Sequence, residues 1–327
     1  MLSQELIEKL KYDYFNSHYS QRQFARKFHD LYGFDTHYQL KRLMGKLNIS
    51  HAEKQKYNHS KYNYDGAKLE LIDAFGIPAS IGKEYESFVL PMHFKKVGVL
   101  SDIHFPFHDL SALTLAINHL RNEQIDCLYL NGDIFDFYSI SRHEKDPDLR
   151  DFSREVELCR ELLQKLRNIF NCPIYFKMGN HEERYARSLQ VNAEEFAQLH
   201  DLQFDIFFRL DKLNITLIEG WQGCQMGDLL VVHGHEIMVS GGINPSQLAF
   251  NKTICNTLMG HVHRTSQTIK KNGMKEYIKS YSTGCLTMLS PKYMPFSHHN
   301  HGFAIVELFD GESKVTNFRI DKGKILV

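Results

Sequence analysis

The sequence has no Cys-x-x-Cys pair, no apolar run of the ~18 residues a membrane span needs, no apolar stretch of the secretory kind in its opening MLSQELIEKLKYD and no net charge. Each absence excludes something. Its six cysteines (Cys127, Cys159, Cys172, Cys224, Cys255 and Cys285) are scattered, most within apolar strand or helix patterns. That argues against a disulfide framework and for reduced core thiols in a cytoplasmic setting. Without an apolar leader or a long apolar run, neither secretion nor a membrane partner is expected. No internal repeat is present, and the one polar, biased stretch is residues 51–64. What is there is ordinary for a globular protein: 43% hydrophobic and 24% charged residues in 327, enough for one large domain and a small one. The zero net charge is unevenly distributed. Residues 1–64 carry eleven Lys/Arg against six Asp/Glu, a net +5, which leaves −5 for the remainder. A basic first segment suggests a module that faces a polyanion.

Residues 1–50 read as three short helices. Leu6, Ile7, Leu10 and Tyr14 mark the first. Ser20 and Gln23 form a capping-box pattern that opens the second, whose apolar face is Phe24, Phe28, Leu31 and Tyr32, and Gly33 stops it. Thr36 can cap a third, with Leu40, Leu43, Met44 and Leu47 inward. The layout is that of a helix-turn-helix. Its third helix would expose His37, Gln39, Lys41, Arg42 and Lys46 to a nucleic acid, with Gln39 able to read a base edge. The alternative is a helical bundle that docks on the rest of the chain or on another copy. Residues 51–93 read as a linker or arm, in which Lys54, Lys56 and Lys61 lie among tyrosines. The main domain is expected over 94–327.

There strands and helices alternate. Strands are expected at Val97–Ser101, Cys127–Leu130, Ile174–Met178, Ile215–Glu219, Leu229–Val232 and Thr257–Met259, and helices at Ser111–Glu123 and Ser153–Phe170. From Tyr277 onward the pattern is mostly β, including Ala304–Leu308 and Val315–Arg319. Five polar motifs follow the strand ends in order: Asp102-Ile103-His104, Gly132-Asp133-Ile134-Phe135-Asp136, Gly179-Asn180-His181-Glu182, His233-Gly234-His235 and Gly260-His261-Val262-His263. Past the carboxyl ends of strands is where such sheets bind ligands. Aspartate, asparagine and histidine suit Mn, Fe, Zn or similar divalent ions. Two such ions about 3.5–4 Å apart can clamp a phosphoryl group. In His-x-His, alternate residues of an extended segment share a face, so one motif could serve two ions. Met259 and Phe135 read as core.

This constellation resembles the calcineurin-like metallophosphoesterases over roughly residues 95 to 320. The resemblance implies a four-layer α/β/β/α sandwich, preceded here by a small all-α domain. It implies two divalent ions per chain, manganese first, with iron, zinc or nickel as alternatives. It implies that Asp102, His104 and His263 hold one metal, that Asn180, His233 and His261 hold the other, and that Asp133 bridges them. His181 would then act on the leaving group. Glu182 could orient or charge His181, and Asp136 could support a ligand histidine or cap a helix. His235 could support a ligand histidine or touch substrate, although an ordinary loop role is the favoured reading for it and for Glu236; Arg142, His143 and Tyr293 are candidates for substrate contact, as is one imidazole of His298-His299-Asn300-His301.

Within the family, Ser/Thr protein phosphatases carry Asp-Arg-Gly after the second motif, where this chain has Asp136-Phe137-Tyr138. The second motif is similar to that of DNA-repair exonucleases, although those usually have Gly-Asn-His-Asp where Glu182 stands. The expected activity is therefore a phosphodiesterase or nuclease acting on DNA, by attack of metal-held hydroxide on phosphorus. A small-molecule phosphatase or nucleotidase with a structural N-terminal segment is the alternative. A DNA-binding protein with an inactive enzyme fold is a third reading, disfavoured by the complete ligand set. Family nucleases often pair, so a homo-oligomer is an allied expectation.

Overall fold

The computed structural model describes residues 7, 9–11, 13–14, 24, 28, 32, 37–46, 85–141, 146–238, 244–291 and 294–327, with the side chains of 37, 38, 41, 45, 46 and 147 left aside. Ser20, Gln23, Gly33, Lys54, Lys56, Lys61, Arg142, His143 and Tyr293 therefore lie outside the described residues, as do the side chains of Lys41 and Lys46. The chain divides into two compact units, Met1–Gly82 and Lys83–Val327.

In the first unit, Leu10, Tyr14, Phe24, Tyr32, Leu40 and Met44 form a buried cluster, with Phe28 and Leu43 packed against it. Amides of Phe28 and Tyr32 bond the carbonyls four residues back, at 3.0 and 3.1 Å, as the period of the aromatic face requires. Helix α1 (His37–Lys46) buries Leu40 and Met44, one turn apart, and exposes Gln39 and Arg42.

The second unit holds two sheets. Its strands are β1 (Phe88–Val89), β2 (Lys96–Leu100), β3 (Cys127–Asn131), β4 (Ile174–Lys177), β5 (Ile215–Ile218), β6 (Cys224–Met226), β7 (Leu229–Val232), β8 (Thr257–Met259), β9 (Ser266–Lys271), β10 (Tyr277–Ser282), β11 (His301–Phe309), β12 (Glu312–Asp321) and β13 (Lys324–Leu326). One sheet has the order β13-β12-β11-β2-β3-β4-β5, with β2 to β5 parallel. The other has the order β1-β6-β7-β8-β10-β9. Alternation along the strands explains the layers. Val97, Val99, Cys127 and Tyr129 point into the core between the sheets, where they meet Val231, Leu258 and Tyr281. Leu100, Leu128 and Leu130 point the other way, into a core shared with helices α2 (Leu110–Asn122) and α3 (Phe152–Ile169). Across the second sheet, Ala249 of helix α4 (Pro245–Thr253) packs on Val232, Met259 and Val262. The result is the four-layer α/β/β/α sandwich.

Most boundaries differ from the sequence reading by a residue, and caps explain two of them. Asp109 accepts from the Ala112 amide at 2.8 Å and Asp151 from the Arg154 amide at 2.9 Å. These N-caps start α2 and α3 one residue earlier than expected. The domain also starts before Phe94: β1 pairs with β6, so residues 85–93 belong to the sandwich rather than to a linker. The short run Phe88–Val89 carries no alternation that could reveal it. All six cysteines are free, four of them buried. Among the described residues no helix is long and apolar enough to cross a membrane.

Candidate metal centre

Strands β2, β3 and β4 of one sheet and β7 and β8 of the other end beside one another, and short bonds tie the rims together. The Asn131 side chain donates to the Val232 carbonyl at 2.9 Å. The Gly260 amide donates to the His233 carbonyl at 2.8 Å, and the His261 amide to both Asp102 oxygens at 3.0 and 3.1 Å. The backbone is bent hard there. Asp102, His104, Asp133, His261 and His263 all have φ between 49° and 67°. Such conformations are uncommon for non-glycine residues and cluster at functional sites. His261 and His263 are thus not on an extended segment, as the His-x-His argument assumed. A tight turn, closed by Val262 N–H to Gly260 O at 2.8 Å, separates the two imidazoles instead. Two glycines permit the crowding. A Cβ on Gly179 would sit 2.3 Å from Asp133 Oδ1, and one on Gly260 2.0 Å from Ser101 Oγ.

The side chains then converge. Asp102, His104 and His263 have one ligand atom each within 4.8 Å of one another, and so do Asp133, His233 and His261. Asn180 Oδ1 joins the second group, 3.2 Å from His233 Nε2. Asp133 Oδ2 lies between the groups, 3.2 Å from His233 Nε2 and 3.7 Å from His104 Nε2. His104 Nε2 and His263 Nε2 are 3.1 Å apart, with His263 Nε2 3.2 Å from Asp102 Oδ1. The buried Nδ1 of His261 has no hydrogen-bond partner among the described residues. An orphaned ring nitrogen beside two carboxylates and further imidazoles fits cation ligation. His104, Asp133 and His181 form a third group of the same kind, so the structure also brings His181, which the sequence reading kept out of the ligand set, within reach of Asp133.

Electrostatics agree. Burial alone would raise Asp102 and Asp133, yet His263 holds Asp102 at about 2, and His181 with His233 holds Asp133 well below the ordinary carboxylate value. Burial would lower His233, but Asp133 and Asp102 raise it to about 10. The same carboxylate field favours any cation placed among these groups. Burial and His233 push His261 down to about 4, which keeps its imidazole neutral, the form a metal requires.

Around this core sit the orienting groups. Asp136 Oδ1 accepts from His104 Nδ1 at 2.9 Å, so its side chain orients the His104 ring rather than capping a helix. The Asn131 carbonyl accepts from His233 Nδ1 at 2.9 Å, which leaves Nε2 for the site. His181 Nδ1 donates to the Asp136 carbonyl at 2.8 Å. Its Nε2 lies 3.7 Å from Asp133 Oδ2 and 2.9 Å from Arg184 Nη2. Burial lowers His181, and Asp133 and Asp136 outweigh it and raise the imidazole above its ordinary value. A proton on Nε2 ends the Nη2 contact, because the guanidinium can only donate, while Arg184 Nη1 keeps its bond to the Asp136 carbonyl at 3.1 Å.

Glu182 does not reach toward His181. Fully buried, it accepts four amides: Ile134 and Phe135 on Oε1 at 2.8 and 2.9 Å, Asp133 and Gly179 on Oε2 at 2.9 and 2.7 Å. It clamps the turn that presents Asp133. Burial and Asp133 push its carboxyl up while the amides pull it down. Glu236 does the same for the next motif, accepting the His233 and Gly234 amides at 3.0 and 2.7 Å while paired with buried Lys177 at 3.0 Å. Sequence reasoning missed Arg184, Lys177 and Asn131, and its loop reading of Glu236 overlooked this clamp. A lysine at the end of an apolar strand, Lys177, was the visible signal. His235 Nε2 lies 3.2 Å from Glu183 Oε1, to one side of the ligand groups. His299 stacks edge-on against His263 at 4.6 Å, whereas Asn300 binds Thr265 and His301 the Thr287 carbonyl.

A sequence profile of calcineurin-like phosphoesterases matches residues 95–287. The chain belongs to the calcineurin-like phosphoesterase family. It is therefore a dinuclear metal-dependent hydrolase of phosphoester bonds, and the two ligand groups suit that chemistry. The gene 54 protein of Mycobacterium phage L5 is 26% identical over 237 residues, 67% of this chain and 90% of that protein. Among solved structures, the zinc complex of Vps29 from Entamoeba histolytica covers 71% of this chain and 96% of its own, at 13% identity and a TM-score of 0.38. A dimetal phosphatase from Danio rerio covers 69% and 96%, at 13% identity and a TM-score of 0.34.

Proposed function

We propose that this family member is a phosphodiesterase that cuts nucleic acid, DNA in the first place. The phosphoesterase chemistry rests on one observation above the others: Asp133 Oδ2 lies between the two ligand groups. In this reading Asp102, His104 and His263 hold one cation, Asn180, His233 and His261 the other, and Asp133 both. Manganese is the first choice for this N/O set, with iron, zinc or nickel also suited. When bound, the cations neutralise charge on the phosphoryl oxygens and draw a nucleophile from water at neutral pH.

The chain's own residues do the rest. Asp136 and the Asn131 carbonyl fix the His104 and His233 rings through Nδ1, so each presents Nε2. Glu182 holds the Asp133 turn. His181 donates from Nε2 to the departing nucleoside oxygen, while Arg184, released from Nε2, carries its positive charge to the phosphoryl oxygens. Support for a nucleic-acid substrate comes from the first unit. Residues 1–64 carry the +5 excess, and α1 turns Gln39 and Arg42 outward over a buried Leu40–Met44 face. Lys41 and Lys46 add to the basic residues of α1, and a cytoplasmic setting suits such a partner.

The test is cleavage of end-labelled single- and double-stranded DNA by the manganese-loaded protein, with Asp133→Asn as control. Cleavage by the wild type alone supports the reading. Intact DNA, with a small phosphodiester still hydrolysed, moves the assignment to a small-molecule phosphatase or nucleotidase. Replacing Gln39 and Arg42 with alanine should weaken DNA binding and spare small-substrate turnover. Unchanged DNA affinity would instead make the helical unit structural.

A further inference from the structure

The chain has one tryptophan, Trp221, and it is 54% exposed. Indoles are highly buried on average, so an exposed one at the edge of an active site calls for a reason. Trp221 lies in the turn that joins β5 to β6, and that turn is pinned from several sides. Its own backbone closes it, Gln222 N–H to Glu219 O at 3.0 Å. The Gln222 side chain donates to Glu86 O at 3.2 Å, the Gly223 amide to Tyr85 Oη at 2.7 Å, and the buried Lys177 ammonium to Gly220 O. The backbone that carries the indole is therefore held in place, while much of the indole surface stays in water.

Its neighbour ties it to the reaction centre. The Trp221 ring lies 5.4 Å from the His235 ring, which lies 5.4 Å from the His233 ring and 6.5 Å from the His261 ring. His235 is steadied by Glu183 at 3.2 Å. A row of rings thus runs from the second ligand group outward and ends in an exposed indole. The ligand groups recognise a phosphoryl group, which every phosphoester has. An exposed aromatic surface on a pinned turn beside them has what it takes to recognise what a nucleic-acid strand adds to its phosphates, a π-face on each residue, without regard to sequence.

We propose that Trp221, backed by His235, is a stacking platform for a nucleobase of the substrate strand next to the scissile phosphate. The proposal rests on the nucleic-acid reading and gives it a base-binding subsite. A merely structural indole that shields His235 would contribute to stability and not to the preference for bases.

Because Trp221 is the only tryptophan, its emission reports this subsite alone. The manganese-loaded full chain is mixed in stopped flow with a short oligothymidylate, or with an abasic oligomer of the same length and charge. Binding of each oligomer is followed separately by the anisotropy of an end label. The expected result is quenching by oligothymidylate and none by the abasic oligomer. In steady-state cleavage, Trp221→Ala should reduce the wild-type preference for the base-bearing oligomer, taken as the ratio of KM values, about tenfold. Trp221→Phe should keep most of that preference. Bound oligothymidylate that leaves the emission unchanged overturns the platform, as does an equal loss on both oligomers. Those results leave the nuclease reading standing if the wild type still cleaves DNA. A wild type that neither binds nor cleaves either oligomer overturns that reading, and the platform with it. Should Trp221→Ala fail to fold, the quenching arm on the wild type decides.

Discussion

Replacing Lys177 with methionine should cost the second unit about 3–5 kcal/mol, because it leaves the Glu236 carboxylate buried without its cation. Neither side chain has access to water that could compensate: Lys177 is 0% exposed and Glu236 6%, with Nζ and Oε1 3.0 Å apart. A second route gives a similar size. Burial raises the Glu236 carboxyl, but Lys177, then His235, His233 and the Gly234 amide, hold it at about 2 against an ordinary 4.5. That difference corresponds to about 3 kcal/mol. The sign follows from the depressed value. The contribution is fully present above pH 4.5 and fades as pH falls from there toward 2, so the gap between wild type and variant should narrow over that window. Urea unfolding followed by Trp221 emission reads the unit that contains the pair, because no other tryptophan contributes. A variant within about 1 kcal/mol of wild type at neutral pH, or a gap that widens in acid, would refute the reasoning.

Other perturbations bear on the same site. Asp136→Asn removes the carboxylate that orients His104 and should lower metal affinity about 10–100-fold by calorimetry; unchanged affinity would make that contact incidental. Glu182→Gln puts an amide N–H against amides that now donate to a carboxylate. It should cost about 1–3 kcal/mol for each group left unsatisfied, seen as a lower urea midpoint, and wild-type stability would show that the clamp is not needed. Asp133→Asn should abolish hydrolysis of bis(p-nitrophenyl) phosphate while the circular dichroism stays native. Chelation should abolish wild-type turnover and added manganese restore it; turnover that survives a chelator would sink the two-metal account.

The site was legible where its residues are also local sequence signals. Asp102, Asp133, Asn180, His233 and His261 each follow an apolar run, and the parallel ends of β2, β3 and β4 bring three of them together directly. Residues that act across sequence were not legible. Glu182 binds amides almost fifty residues away, and nothing in Gly-Asn-His-Glu says that its carboxylate points back to the Asp133 turn. Arg184 and Glu236 read as ordinary charges on a helix and a loop until burial is known. The extended reading of His261-Val262-His263 failed because the Asp102 carboxylate captures the His261 amide and forces a turn. In the first unit the aromatic period of Phe24, Phe28 and Tyr32 gave the buried face, since a 3.6-residue period is local. The edge strand β1 was hidden, because two residues carry no period at all.

The most direct test of the central claim is the metal content of the purified, manganese-loaded chain by mass spectrometry, beside that of Asp133→Asn. The account predicts two ions per wild-type chain and fewer in the variant, with phosphodiester hydrolysis lost in parallel. Fewer than one ion per wild-type chain, or an undiminished metal count and full activity in Asp133→Asn, would contradict it.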